Sequence, residues 1–140
     1  MEQQTGCAPQ PEKIDPRELS PLALAFVGDS VLELLVRQRL VEHHRLSPGR
    51  LNAEKVKYVS ARAQFREEKL LEPLFTEEEL AVFKRGRNAH VNTIPHSASR
   101  SDYLKATALE CLMGYLYLKG ATERINELFS VMMEVTRDAT

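Results

Sequence analysis

The chain has no apolar run approaching the ~20 residues that a helix needs to cross a bilayer. Its N-terminus has no basic stretch followed by an apolar one, so it does not read as a secretory signal. Cysteine is scarce: Cys7 lies in a polar segment and Cys111 in an apolar one. That argues against a disulfide framework and suits a reducing cytoplasm. Alternating hydrophobicity of the strand type is almost absent, and no internal repeat is evident. No serine or cysteine nucleophile motif, phosphate-binding glycine loop or nucleotide-fold signature occurs. The histidines His43, His44, His90 and His96 lack zinc-ligand spacing and read as solvent-exposed. An excess of one charge is missing too. The net charge is −1, so bulk charge points to neither a nucleic-acid nor an acidic partner.

What is present is a chain of 140 residues, 43% hydrophobic and 28% charged. That is ordinary for one globular domain with a sizeable core. Residues 1–18 are rich in Gln, Pro and charge without periodicity, and read as a mobile tail. Residues 19–140 read as an all-α domain. Ser20-Pro21 opens a helix to about His44, with Leu22, Phe26, Val27, Val31, Leu34, Leu35 and Val41 giving broad apolar coverage. Ser47-Pro48 opens a second stretch through about Leu71, with a break near Ser60, ended by Pro73. Thr76-Glu77-Glu78-Glu79 has capping-box spacing and starts a short helix to about Arg85. Residues 86–100 read as a long irregular loop. A strong helix runs from about Ser101 to Lys119, stopped by Gly120. A last one starts near Thr122, with Ile125, Leu128, Phe129, Met132 and Met133 as ordinary core.

Two carboxylates stand where this periodicity expects carbon. Asp29 interrupts LALAFVGDSVLELLV, and Glu110 interrupts ALECLMGYLYL. A charge on a core-facing helix surface is costly unless paired, protonated or metal-bound. Each acid has a glycine near it, Gly28 and Gly114, and glycine inside a helix costs ~1 kcal/mol relative to alanine. The glycines either allow close helix packing beside acids that bond to hydroxyls, or mark two halves of one site. Magnesium is the metal that two carboxylates suit, since it takes oxygen ligands and often keeps several waters. Glu33, one turn after Asp29, is either a second partner of that site or a surface ion pair. Asp102 lies near a helix start, where an acid favours the dipole. Lys84, Arg85 and Arg87 form a basic cluster, with Arg100 beyond the loop.

These segments, in this order, resemble the ribonuclease III family. LALAFVGDSVLELLV is similar to its signature helix, TALECLMGYLYL to its second acidic helix, and KRGRNAHVNT to the Arg-Gly basic loop between them. The resemblance spans about residues 20–137. The short subfamily called Mini-ribonuclease III, a catalytic domain without a double-stranded-RNA-binding domain, is most similar, and the expectation is that no such domain follows the last helix. Two acids of full-length relatives are replaced by Ala25 and Thr107, as in the short subfamily, which leaves Asp29 and Glu110. Fewer negative charges should weaken metal binding.

The resemblance implies a helical bundle forming a homodimer, and a magnesium-dependent endoribonuclease cutting double-stranded RNA. Asp29 and Glu110 would hold the metal. Lys84, Arg85, Arg87 and Arg100 would contact phosphates. Phe26 matches the aromatic residue that family members insert into the partner subunit; its other reading is core packing. The implied substrate is the precursor of bacterial large-subunit (23S) ribosomal RNA, trimmed in the cytoplasm with a ribosomal protein as a conceivable accessory. A catalytically silent RNA-binding scaffold of the same fold is the alternative, and a purely structural helical module the third reading.

Overall fold

The computed structural model describes residues 12–59, 71–89 and 100–138. His90, His96 and most of the loop expected at 86–100 lie outside them, as does the expected break near Ser60. The side chains of Arg100 and Asp102 lie outside them as well. Among the described residues, five α-helices are assigned ranges, α1 Pro21–His43, α2 Pro48–Val59, α3 Glu77–Arg87, α4 Arg100–Lys119 and α5 Thr122–Asp138. No strand occurs among the described residues. Among them, too, no helix is long and apolar enough to cross a membrane.

The helix ends follow local chemistry. The Ser20 hydroxyl accepts from the Ala23 N–H at 3.1 Å and caps α1, with Pro21 in its first turn. Such a cap is worth about 1 kcal/mol. At α3 the capping box closes in both directions: Glu79 N–H donates to the Thr76 hydroxyl, and Thr76 N–H donates to the Glu79 carboxylate. Gly120, at φ +84°, ends α4; its N–H donates to the Tyr117 carbonyl, and the Ala121 N–H to that of Leu116. These two bonds satisfy carbonyls that the helix end leaves open.

α4 is the axis of the bundle. Ala106 to Leu109 and Cys111 to Leu116 are buried in an almost unbroken run. A helix apolar all round must be covered all round. α1 packs along one side of it and α3 along another, while α2 lies on α1. Phe83, Leu24, Leu71, Leu109, Leu112, Met113 and Leu128 fill the centre. Glu79 is the one buried acid among the described residues. Its carboxylate takes Arg124 Nε at 2.8 Å and Nη2 at 2.9 Å, which ties the start of α3 to α5.

Several expectations change. α3 runs on to Arg87, so Gly86 and Arg87, expected at the start of a loop, join Lys84 and Arg85 in its last turn. Pro73 lies within a 3-10 turn, Glu72–Leu74. Before α1, Pro16–Glu18 forms another, capped by the Asp15 carboxylate. On α1, Leu22, Phe26, Leu34 and Val41 are exposed; its buried line is Leu24, Ala25, Gly28, Val31, Leu32, Val36 and Leu40. Helical periodicity shows which residues share a face. It does not show which of two apolar faces the chain covers by itself.

Candidate active site

The site begins with two helices in backbone contact. A Cβ on Gly28 would lie 1.6 Å from the Glu110 carbonyl oxygen and 2.8 Å from the Gly114 nitrogen. A Cβ on Gly114 would lie 1.9 Å from the Leu24 carbonyl oxygen. Only residues without a side chain fit at either place, so α1 and α4 cross at these two glycines. The close packing that the glycines allowed for is therefore real. It carries Asp29, next to Gly28, to the turn of α4 that holds Glu110.

Asp29 is not core-facing. The residue is exposed, and Glu110 is half-buried. Successive helix residues are 100° apart, so burying Gly28 against α4 turns Asp29 outward at the edge of the crossing. The cost expected for a buried charge does not arise at Asp29. Ala25 and Thr107, the two positions where the resemblance led to an expectation of acids, are both buried.

Gly86 extends the arrangement. Its Cβ would lie 2.8 Å from both the Ala108 Cα and the Cys111 Cβ. The glycine between Arg85 and Arg87 thus seats the basic last turn of α3 on the turn of α4 flanking Glu110. Its packing role is legible in the spacing: Glu79, Val82, Phe83 and Gly86 follow i, i+3, i+4, i+7, and all four are buried. Cys111, enclosed beside it, has its thiol pushed up to about 11 by burial, which makes it inert packing.

The basic side chains differ. Lys84 is exposed. Arg85 donates to the Leu19 carbonyl at 3.0 Å and the Arg17 carbonyl at 3.5 Å, and so holds the chain leading into α1. Arg87 lies 3.9 Å from the Glu72 carboxylate and 5.8 Å from the centre of the Phe83 ring. Arg100 begins α4. Phe26 is 81% exposed, which removes the core-packing reading for the single chain. His43 and His44 are exposed, as expected. Glu33 is an ion pair: Lys55 donates to it at 2.8 Å and Arg37 at 3.1 Å. The Lys55 and Arg37 hydrogen bonds hold its carboxyl below the usual carboxylate range.

The family model of the ribonuclease III domain matches residues 22–121. That span includes both acids, the glycine crossing and the basic turn. A Mini-ribonuclease 3 of Brevibacillus brevis is 45% identical over 81% of this chain and 85% of its own. One from Thermoanaerobacter is 40% identical over 86% of this chain and 84% of its own. The chain belongs to the ribonuclease III family, in its Mini-ribonuclease III branch. A crystal structure of a Fusobacterium nucleatum protein has the same fold, with a TM-score of 0.79, 30% identity, and coverage of 87% of this chain and 98% of that one. At the level of the family, the expectation of a double-strand-specific endoribonuclease is met.

Among the described residues, no three or more His, Cys, Asp and Glu side chains gather as a metal cluster. Among the described residues, the donors expected at the crossing are two carboxylates on two locked helices. That fits a hard divalent cation that keeps most of its shell for water and substrate, and it does not fit a closed protein cage.

Proposed function

We propose that the chain is a magnesium-dependent endoribonuclease that hydrolyses phosphodiester bonds in double-stranded RNA, with Asp29 and Glu110 as the metal-holding pair. The observation that carries this reading is the glycine crossing, which brings two acids 81 positions apart in sequence to one edge of the bundle. When bound, the ion would supply an activated water and charge stabilisation at the phosphate. The carboxylates orient that ion and offset its charge. The rigid crossing keeps them in register, so little reorganisation is needed on binding. Lys84, Arg85, Arg87 and Arg100 contact backbone phosphates, a mode suited to a duplex recognised by shape rather than base edges.

The active form is a homodimer. Phe26, Leu34 and Tyr117 are 81%, 64% and 58% exposed, and all three line one apolar groove with Val27 and Ile125. A second copy of the chain would cover it. The substrate class is precursor of the large-subunit (23S) ribosomal RNA, in the cytoplasm, with a ribosomal protein as an accessory. Incubation with a structured ribosomal RNA precursor, with and without magnesium, tests the activity. The expected result is discrete cleavage in the double-stranded stem, lost with chelator and restored by magnesium. Binding without cleavage under permissive salt would leave the silent RNA-binding scaffold instead.

A further inference from the structure

Asp29, Glu33 and Arg37 stand at i, i+4 and i+8 on α1, so they share one face. Glu33 lies about 6 Å and Arg37 about 12 Å along the axis from Asp29. Lys55 reaches the same place from α2. Lys55 and Arg37 both donate to a single oxygen of Glu33, at 2.8 Å and 3.1 Å. Bridging α1 to α2 requires only the Lys55 bond. Arg37 comes from the helix that carries Glu33, so it adds a cation without joining anything. The node holds two positive charges against one negative.

The two cations also line a cleft between α1 and α2, together with Leu40, Val41 and Leu51, the Lys55 side chain being 15% exposed. The Arg37 side chain is 60% exposed. A guanidinium has five donors and an ammonium three, so both groups keep N–H donors beyond their bond to Glu33. A site made of two carboxylates repels a polyanion before any metal is bound. Positive charge one and two turns away offsets that repulsion for an incoming strand.

We propose that Arg37 and Lys55, gathered on Glu33, form a phosphate-binding subsite for the RNA strand that runs past the acid pair. This rests on the ribonuclease reading above. The subsite is separate from the basic turn of α3 and was not evident in the sequence, because Lys55 is 22 residues from Glu33.

The test is the affinity for a short RNA duplex, measured with chelator present at several salt concentrations. Lys55→Gln and Arg37→Gln should each weaken binding about three- to tenfold at low salt and lower the salt slope by about 1. Glu33→Gln should tighten it, because it removes the carboxylate that both cations donate to. A structural bridge alone predicts that Glu33→Gln and Lys55→Gln, which break the same bond, shift affinity in the same direction or not at all. That result overturns the subsite. Should Lys55→Gln fail to fold, Lys55→Arg and Arg37→Gln decide the matter: retention of the slope by the first and its loss in the second support the subsite, and equal slopes overturn it. Magnesium-dependent cleavage of the same duplex by the unaltered protein separates the two readings. Cleavage with unshifted variants removes only the subsite, whereas no binding and no cleavage removes both.

Discussion

Asp29 and Glu110 occupy different surroundings, one exposed and one half-buried, yet they are expected to fail alike when neutralised. On the proposed reading, Asp29→Asn should reduce cleavage more than about 100-fold, because losing one of two metal-holding charges would cost several kcal/mol at the transition state. Circular dichroism and sedimentation should show an unchanged fold and dimer, since Asp29 is exposed. Full activity would remove Asp29 from the site. Glu79 gives a different prediction at the same scale. Burial raises its carboxyl pKa, but the Arg124 guanidinium and the Thr76 N–H reverse this, leaving it below the ordinary 4.5. A depressed folded-state value means that the stabilisation is complete above about pH 4.5 and is lost as pH falls through the folded value. Glu79→Gln should cost about 2–3 kcal/mol at neutral pH. The gap in melting temperature from the unaltered protein should narrow as pH drops below that point. A gap independent of pH would show that the carboxylate charge contributes nothing.

The crossing of α1 and α4 is a property of elements rather than of single side chains. Gly28→Ala puts a methyl 1.6 Å from a backbone oxygen, which no rotamer change can relieve. The helices must separate, at an expected cost above about 3 kcal/mol. The acids then lose register, so cleavage should fall further than the folded fraction does. Gly49, in the first turn of α2, has nothing within 4 Å of its would-be Cβ. Gly49→Ala should therefore stabilise by about 0.5–1 kcal/mol. Thermal melts of the two variants check the pair, and opposite signs are required. The sequence shows a glycine within a helical stretch at both positions. Only the facing helix shows which glycine is a contact and which is a gap.

For the whole molecule, the proposed homodimer would cover the apolar surface left on α1 and the end of α4. Phe26→Glu places a charge in the groove flanked by Leu34 and Tyr117. Sedimentation should show a shift from dimer to monomer, with cleavage lost at concentrations where the unaltered protein is active. An unchanged dimer would move the interface elsewhere. A melting temperature that rises with protein concentration is the companion observation for a dimer that stabilises its own fold.

By itself, the amino-acid sequence determined the helical class, most helix starts and stops, and the two acids with their glycines. These are encoded locally, in caps such as Ser20 and Thr76, in Gly120, and in 3.6-residue spacing. The motifs also carried the family. The sequence misplaced Asp29 in the core because α1 has apolar residues on two faces. It set Gly86 and Arg87 in a loop because a glycine between arginines suggests irregular backbone as readily as tight packing. Which face of α1 the chain covers, how Gly86 seats on α4, and how Lys55 meets Glu33 depend on partners far away in the chain. Only the tertiary structure decides these, since a side chain's surroundings depend on which helix arrives opposite it.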